Sequence, residues 1–183
     1  MSRLTEDLLD VSRFTRGAIA LASDAVDLPS VVGEAAELVD QLVQKKNQSV
    51  RWLHADAATV TGDRTRLVQV FANLLGNASR YSGNGKEIGI AITVAGTDVL
   101  VDVVDDGIGM EPDRIASLFD FYAQASQSTD GRQAGLGLGL ALVKSLVTAH
   151  GGTVGAHSAG PGTGSVFSVR LPLAGQGTPP LQA

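Results

Sequence analysis

The chain has 183 residues, 44% apolar and only 4% aromatic, with a formal charge of -5 and no cysteine. That length suits one domain with a Val/Leu/Ile/Ala core. The absence of cysteine excludes disulfides and thiolate chemistry, and no basic run of the kind nucleic-acid binders carry is present.

The first element is "SRLTEDLLDVSRF". Leu4, Leu8 and Val11 recur at helical spacing, so an amphipathic helix ending near Gly17 is expected. A helix this short needs a partner surface. "AIALAS" reads as a short strand. "DLPSVVGEAAELVDQLVQKKN" reads as a helix, with a proline near its start and Lys45 and Lys46 near its end. "SVRWLHA" alternates as a strand, and "ATVTG" is a second short strand leading to Asp63, a good helix cap. "RTRLVQVFANLLGNASRYS" follows as a helix whose apolar face carries Leu67, Val70, Phe71, Leu74 and Leu75.

"EIGIAITVAG" and "DVLVDVVDDG" alternate around Gly96 and Thr97, which predicts a hairpin. "EPDRIASLF" reads as a short helix, and the polar stretch from Phe121 to Ala134 as a loop. "LGLALVKSLVTAHGG" is a helix closed by Gly151. "TVGAHSA" and "SVFSVRLPL" are strands around a Gly/Pro turn, and "AGQGTPPLQA" is a tail or linker. The mixture gives an α+β fold: a two-layer α/β sandwich with helices on one face of a mixed, mostly antiparallel sheet, preceded by the short N-terminal helix.

Three stretches carry chemistry. In "NLLGNASRY", Asn73, Asn77 and Arg80 share one helical face, followed by Tyr81. An amide oxygen can ligate Mg²⁺ and a guanidinium can hold phosphate oxygens. A polar solvent face is the plainer alternative. In "DDGIGM", Asp105 stands at a strand end, where it can accept from an exocyclic amine, and Gly107 and Gly109 allow a tight turn against a flat ring. An ordinary Asp-Gly turn is the plainer alternative. In "GLGLGLALVK", Gly135, Gly137 and Gly139 lead into a helix and can present free amides to phosphate, or form only a hinge. No Walker or Rossmann spacing is present.

In their order these stretches resemble the catalytic ATP-binding domain of bacterial sensor histidine kinases in the GHKL superfamily. The likeness runs from about Asp27 to Leu173 and includes an asparagine box, "NLLGNASRY", a first glycine box, "DDGIGM", a phenylalanine box, "LFDFY", and a second glycine box, "GLGLGL". The resemblance implies a Bergerat-type fold that binds ATP and Mg²⁺. Asn77 would ligate the metal, Arg80 would contact a phosphate, Asn73 and Tyr81 would support the nucleotide, and Asp105 would accept from the adenine amine. Gly107 and Gly109 would lie beside the base, Gly135, Gly137 and Gly139 would flank the triphosphate, and residues 119–134 would form a lid. Arg80 stands where the family usually has Lys, and Phe121 where a proline is frequent.

The same resemblance divides the chain into residues 1–16, the end of a dimerisation and phosphoacceptor hairpin, residues 17–174, the catalytic domain, and residues 175–183, a flexible tail. It implies a two-component signalling protein of the hybrid type. No apolar run approaches transmembrane length and no signal-peptide pattern opens the sequence, so a cytoplasmic location is expected here, in a parent that could be membrane-anchored. Expected partners are ATP or ADP, a phosphoacceptor histidine domain, a response regulator receiver domain and a second copy in the full-length protein, with no nucleic acid. His54, His150 and His157 are followed by Ala55, Gly151 and Ser158, so none fits the family's His-acidic acceptor. The substrate histidine is expected outside this chain, which would then not phosphorylate itself. Three rivals stand beside a kinase: a GHKL ATPase, disfavoured by Asn73 where those enzymes place a Glu base, an anti-sigma-type serine kinase, and a non-catalytic nucleotide-sensing module.

Overall fold

A computed structural model describes residues 21–115, 117–119 and 138–175. The expected N-terminal helix, the phenylalanine-box residues from 120 onward, most of the lid, Gly135, Gly137 and the end of the tail lie outside the described residues.

The chain runs β1 (Asp24–Asp27), α1 (Leu28–Lys45), β2 (Ser49–Ala55), β3 (Thr59–Gly62), α2 (Arg64–Tyr81), β4 (Glu87–Ala95), β5 (Asp98–Asp105), α3 (Pro112–Ile115), α4 (Leu138–Ala149), β6 (Thr153–His157) and β7 (Ser165–Pro172). Five strands form one sheet in the order β2-β4-β5-β7-β6, and β1 and β3 form a separate two-stranded ribbon. Only the β2-β4 pair in the five-stranded sheet is parallel.

Two expectations are corrected. Leu21–Ser23, the described part of "AIALAS", lie outside any strand, and the strand begins at Asp24. The apolar run misled: Asp24–Asp27 is a strand because its backbone pairs with Thr59–Gly62, a partner distant in sequence. The helix expected over "EPDRIASLF" shrinks to Pro112–Ile115.

The sheet buries one set of alternating side chains. Ile88, Ile90 and Ile92 of β4, Val99, Val101 and Val103 of β5 and Val169 and Leu171 of β7 are fully or almost fully buried. They meet Leu28, Val31, Val32 and Ala35 of α1, Leu67, Val70, Phe71, Leu74 and Leu75 of α2 and Leu142, Val143 and Leu146 of α4. Period two on the strands and helical period on the opposing layer produce one continuous core.

Local capping sets where the helices begin and end. The Asp27 carboxylate accepts from Ser30 N–H at 3.0 Å at the start of α1, and Asp63 accepts from Arg66 N–H at 3.1 Å at the start of α2. Helix α1 closes in a Schellman arrangement: Gln48 N–H bonds Val43 C=O, Asn47 N–H bonds Gln44 C=O, and Asn47 takes the positive φ of 51°. This turn swings Lys46 and Gln48 towards the far end of α2.

His150 joins α4 to α2. Its Nδ1 donates to Leu146 C=O at 2.7 Å, which leaves Nε2 to accept from Asp63 N–H at 3.0 Å. The ring packs so closely on Gly62 that a Cβ there would collide with it. Both nitrogens are thus spent on structure. His150→Ala removes both bonds and leaves a void, so it should lower stability by about 2 kcal/mol, read as a shifted midpoint in urea unfolding.

Candidate functional site

Helix α2 is the spine of the site. Asn73, Asn77, Arg80 and Tyr81 all lie on it. Asn73 and Tyr81 are separated by about 12 Å along the axis at 1.5 Å per residue.

At the C-terminal end, α2 leaves carbonyls with no partner inside the helix. Lys46 Nζ donates to the carbonyls of Ser79 and Arg80, each at 2.8 Å, and of Ser82 at 3.1 Å. The buried Gln48 amide donates to Ser79, Ser82 and Gly83 carbonyls at 3.1, 3.2 and 2.9 Å, and its oxygen accepts from Ser79 Oγ at 2.6 Å. The Tyr81 carbonyl goes elsewhere. It accepts from Ile108 N–H at 3.2 Å. That bond ties the asparagine-bearing helix to the turn after Asp105.

The turn is built from backbone at close range. Asp105 is 5% exposed, and its Oδ1 accepts from Gly107 N–H at 2.8 Å. A Cβ at Gly107 would strike Asp105 Oδ1 and the Tyr81 carbonyl. Gly109 has a φ of +65° and faces the Gly160 carbonyl with no room for a Cβ. Burial pushes the Asp105 carboxyl above its ordinary value, against the Gly107 N–H, and the neighbouring Asp106 charge adds to the rise.

A second loop, residues 158–164, lies against this turn. Gly162 N–H donates to Ile108 C=O at 2.6 Å and Gly164 N–H to Gly107 C=O at 3.2 Å. The sequence signal for this loop was only a Gly/Pro turn between two strands.

At the other end of the site, the Asn73 side chain faces Gly139 in the first turn of α4, where a Cβ would stand 3.9 Å from Asn73 Oδ1. Asn73 Nδ2 is buried without a hydrogen-bond partner, and so is Ser82 Oγ. An unsatisfied buried donor costs about 1–3 kcal/mol. These two orphans bracket the stretch holding Asn77 and Arg80, as a site that takes a polar ligand or water would require. Phe119 of the phenylalanine box packs edge-on against Phe167, with centroids 6.4 Å apart.

The structure therefore brings Tyr81, Asp105, Gly107 and Gly109 together, and Asn73 beside Gly139, with Asn77 and Arg80 on the helix between. Among the described residues no cluster of three His, Cys, Asp or Glu side chains could hold a metal. The amide oxygen of Asn77 would be a suitable donor to a hard cation, with phosphate and water oxygens completing the shell. The unpartnered Asn73 Nδ2 on the same helix is a donor that such a phosphate would satisfy.

Residues 62–175 match the family model described as histidine kinase-, DNA gyrase B- and HSP90-like ATPase. The chain is 34% identical to the sensor protein KdpD of Escherichia coli K12 over 93% of its own length and 19% of KdpD. It is 34% identical to the sensor-like histidine kinase SenX3 of Mycolicibacterium smegmatis over 91% of its length and 43% of SenX3. It thus spans less than half of either relative. Among solved structures, full-length ShkA in complex with AMPPNP superposes with a TM-score of 0.81 at 29% identity, over 93% of this chain and 35% of ShkA. The mycobacterial sensor histidine kinase MprB shares the fold, with a TM-score of 0.72. The chain belongs to the histidine kinase-, DNA gyrase B- and HSP90-like ATPase family, as a GHKL-type catalytic domain of the sensor histidine kinase kind.

Proposed function

We propose that this domain binds Mg-ATP and transfers the γ-phosphate to a histidine on a phosphoacceptor helix that this chain does not supply. The observation that supports this most is the bond from Ile108 N–H to the Tyr81 carbonyl, which joins the Asp105 turn to the helix bearing Asn77 and Arg80.

In this reading the adenine amine donates to the Asp105 carboxylate, whose Oδ1 is already oriented by Gly107 N–H. Gly107 and Gly109 lack the side chains that the close-packed turn beside the base could not hold. Arg80 holds a phosphate oxygen, and Asn73 Nδ2 finds its missing acceptor at the phosphate end. Asn77 would hold Mg²⁺, which neutralises charge on the β- and γ-phosphates when bound. Gly135, Gly137 and Gly139 offer amides to the triphosphate. The incoming imidazole attacks phosphorus in line as the bond to the β–γ bridging oxygen breaks, and ADP leaves. Positioning and charge neutralisation carry the rate. Asn73 cannot take a proton from water, so transfer is favoured over hydrolysis.

The acceptor is not His150, whose two ring nitrogens are both bonded. On this reading residues 1–16 end the dimerisation and phosphoacceptor hairpin, residues 17–174 are the catalytic domain and 175–183 a tail. The parent protein is a homodimeric cytoplasmic or membrane-anchored kinase that passes phosphate to a receiver domain. No helix among the described residues is long and apolar enough to cross a membrane. A nucleotide-sensing module without transfer is the alternative.

Incubation with Mg-ATP and a separately prepared phosphoacceptor hairpin tests this directly. Label should appear on the hairpin histidine, and Asn77→Asp should reduce its rate at least tenfold. Nucleotide binding with no transfer to any hairpin would favour the sensing module.

Asp105 gives a second prediction. Its raised value means that the folded chain keeps this proton to higher pH than the unfolded chain does. The folded state then binds more protons within that interval, so this group's contribution to stability falls as pH rises through it. Asp105→Asn keeps an oxygen for Gly107 N–H and has no charge to bury. The variant should lose this part of the pH dependence and be no less stable than the parent at pH 7 in urea unfolding. Its ATP affinity should fall at least tenfold by calorimetry.

A further inference from the structure

We propose that Ser158, which lies outside every asparagine and glycine motif, is a positioning residue that fixes the base-reading turn and so sets purine selectivity. The inference rests on the reading of Asp105 as the adenine acceptor.

Ser158 follows β6 and is 9% exposed. Its hydroxyl donates to Gly164 C=O at 2.7 Å and accepts from Met110 N–H at 3.0 Å. Gly160 N–H approaches the same oxygen at 3.3 Å. One side-chain oxygen thus joins both ends of the 158–164 loop to the end of the "DDGIGM" turn. The remaining bonds across the junction, Gly162 to Ile108 and Gly164 to Gly107, are backbone bonds that need the loop held in this shape. Gly164 has no room for a Cβ because the Asp105 carbonyl lies against it. A shift of the loop is therefore passed to Asp105 itself.

Asp105 can tell purines apart because adenine presents an amine donor where guanine presents a carbonyl acceptor. That discrimination depends on where the carboxylate sits. The triphosphate contacts offered by Arg80 and Asn77 are blind to the base. Loss of the Ser158 hydroxyl should weaken ATP far more than GTP, whereas a loss of stability alone would weaken both alike.

The test is titration of ATP and GTP into the unmodified chain, Ser158→Ala and Ser158→Thr, with urea unfolding of each. The expected result is a preference for ATP in the unmodified chain, a preference reduced about tenfold in Ser158→Ala, and its recovery in Ser158→Thr, which keeps the hydroxyl. An unchanged ATP-to-GTP ratio in Ser158→Ala overturns the role of Ser158 and leaves the nucleotide site standing. Binding of neither nucleotide by the unmodified chain overturns both readings. If Ser158→Ala does not fold, amide exchange in the unmodified chain decides. Protection of the Met110 N–H comparable with that of Gly162 supports the junction, and exchange at the rate of an open loop overturns it.

Discussion

The last carbonyls of an α-helix have no partners of their own, and the end of α2 shows how much can be hung on that fact. Lys46 and Gln48 together occupy the carbonyls of Ser79, Arg80, Ser82 and Gly83. Ser82 N–H takes that of Ala78. Tyr81 alone keeps a carbonyl for another segment, and Ile108 N–H fills it. The cation also sits where the helix dipole favours positive charge. A helix end pinned in this way is a fixed reference for the turn that follows β5. If it frayed, the turn would lose its anchor and the asparagine face its register with Asp105.

The Asp105 turn is held mainly by main chain meeting main chain. Gly107, Gly109 and Gly164 each stand where a Cβ would run into a carbonyl or carboxylate oxygen. Close approach of this kind packs main chain directly beside a buried acid. The acid bears the cost, since burial disfavours its charge. A site that needs a well-aimed acceptor accepts this penalty when a ligand donor can return part of it. Among the described residues, Asp105 is the one acidic residue whose side chain is buried.

Most of the architecture was legible because it rests on local rules. The α1 boundaries follow from the proline near its start and the lysines near its end, and the α2 start from Asp63 as a cap. The β4-β5 hairpin follows from alternation around Gly96 and Thr97. Asn73, Asn77 and Arg80 on one helix were readable by spacing, and their assignment with Asp105 to one nucleotide site came with the family resemblance. What escaped the sequence was long-range. Lys46 and Gln48 act on residues more than thirty positions away. Ser158 reaches Met110 across 48 residues. A lone Ser after a strand or a Lys after a helix carries no local pattern, so nothing in the string marks either. The strand at Asp24–Asp27 escaped for the same reason, since its only cause is the pairing with β3.

The two ends of α2 differ in what they leave open. At Tyr81 the carbonyl is taken by Ile108 N–H, with the buried Ser82 Oγ beside it left without a partner. At Asn73 a buried amide hydrogen pair is left without an acceptor beside Gly139. On the proposed reading the Tyr81 end meets the base and the Asn73 end the phosphates. A phosphate would there supply the acceptor oxygen that the Asn73 amide lacks. On that reading the phosphate would bring Asn73 and the start of α4 into one bonded set. Binding energy from the base would then be available to order the phosphate end, where the proposed transfer takes place.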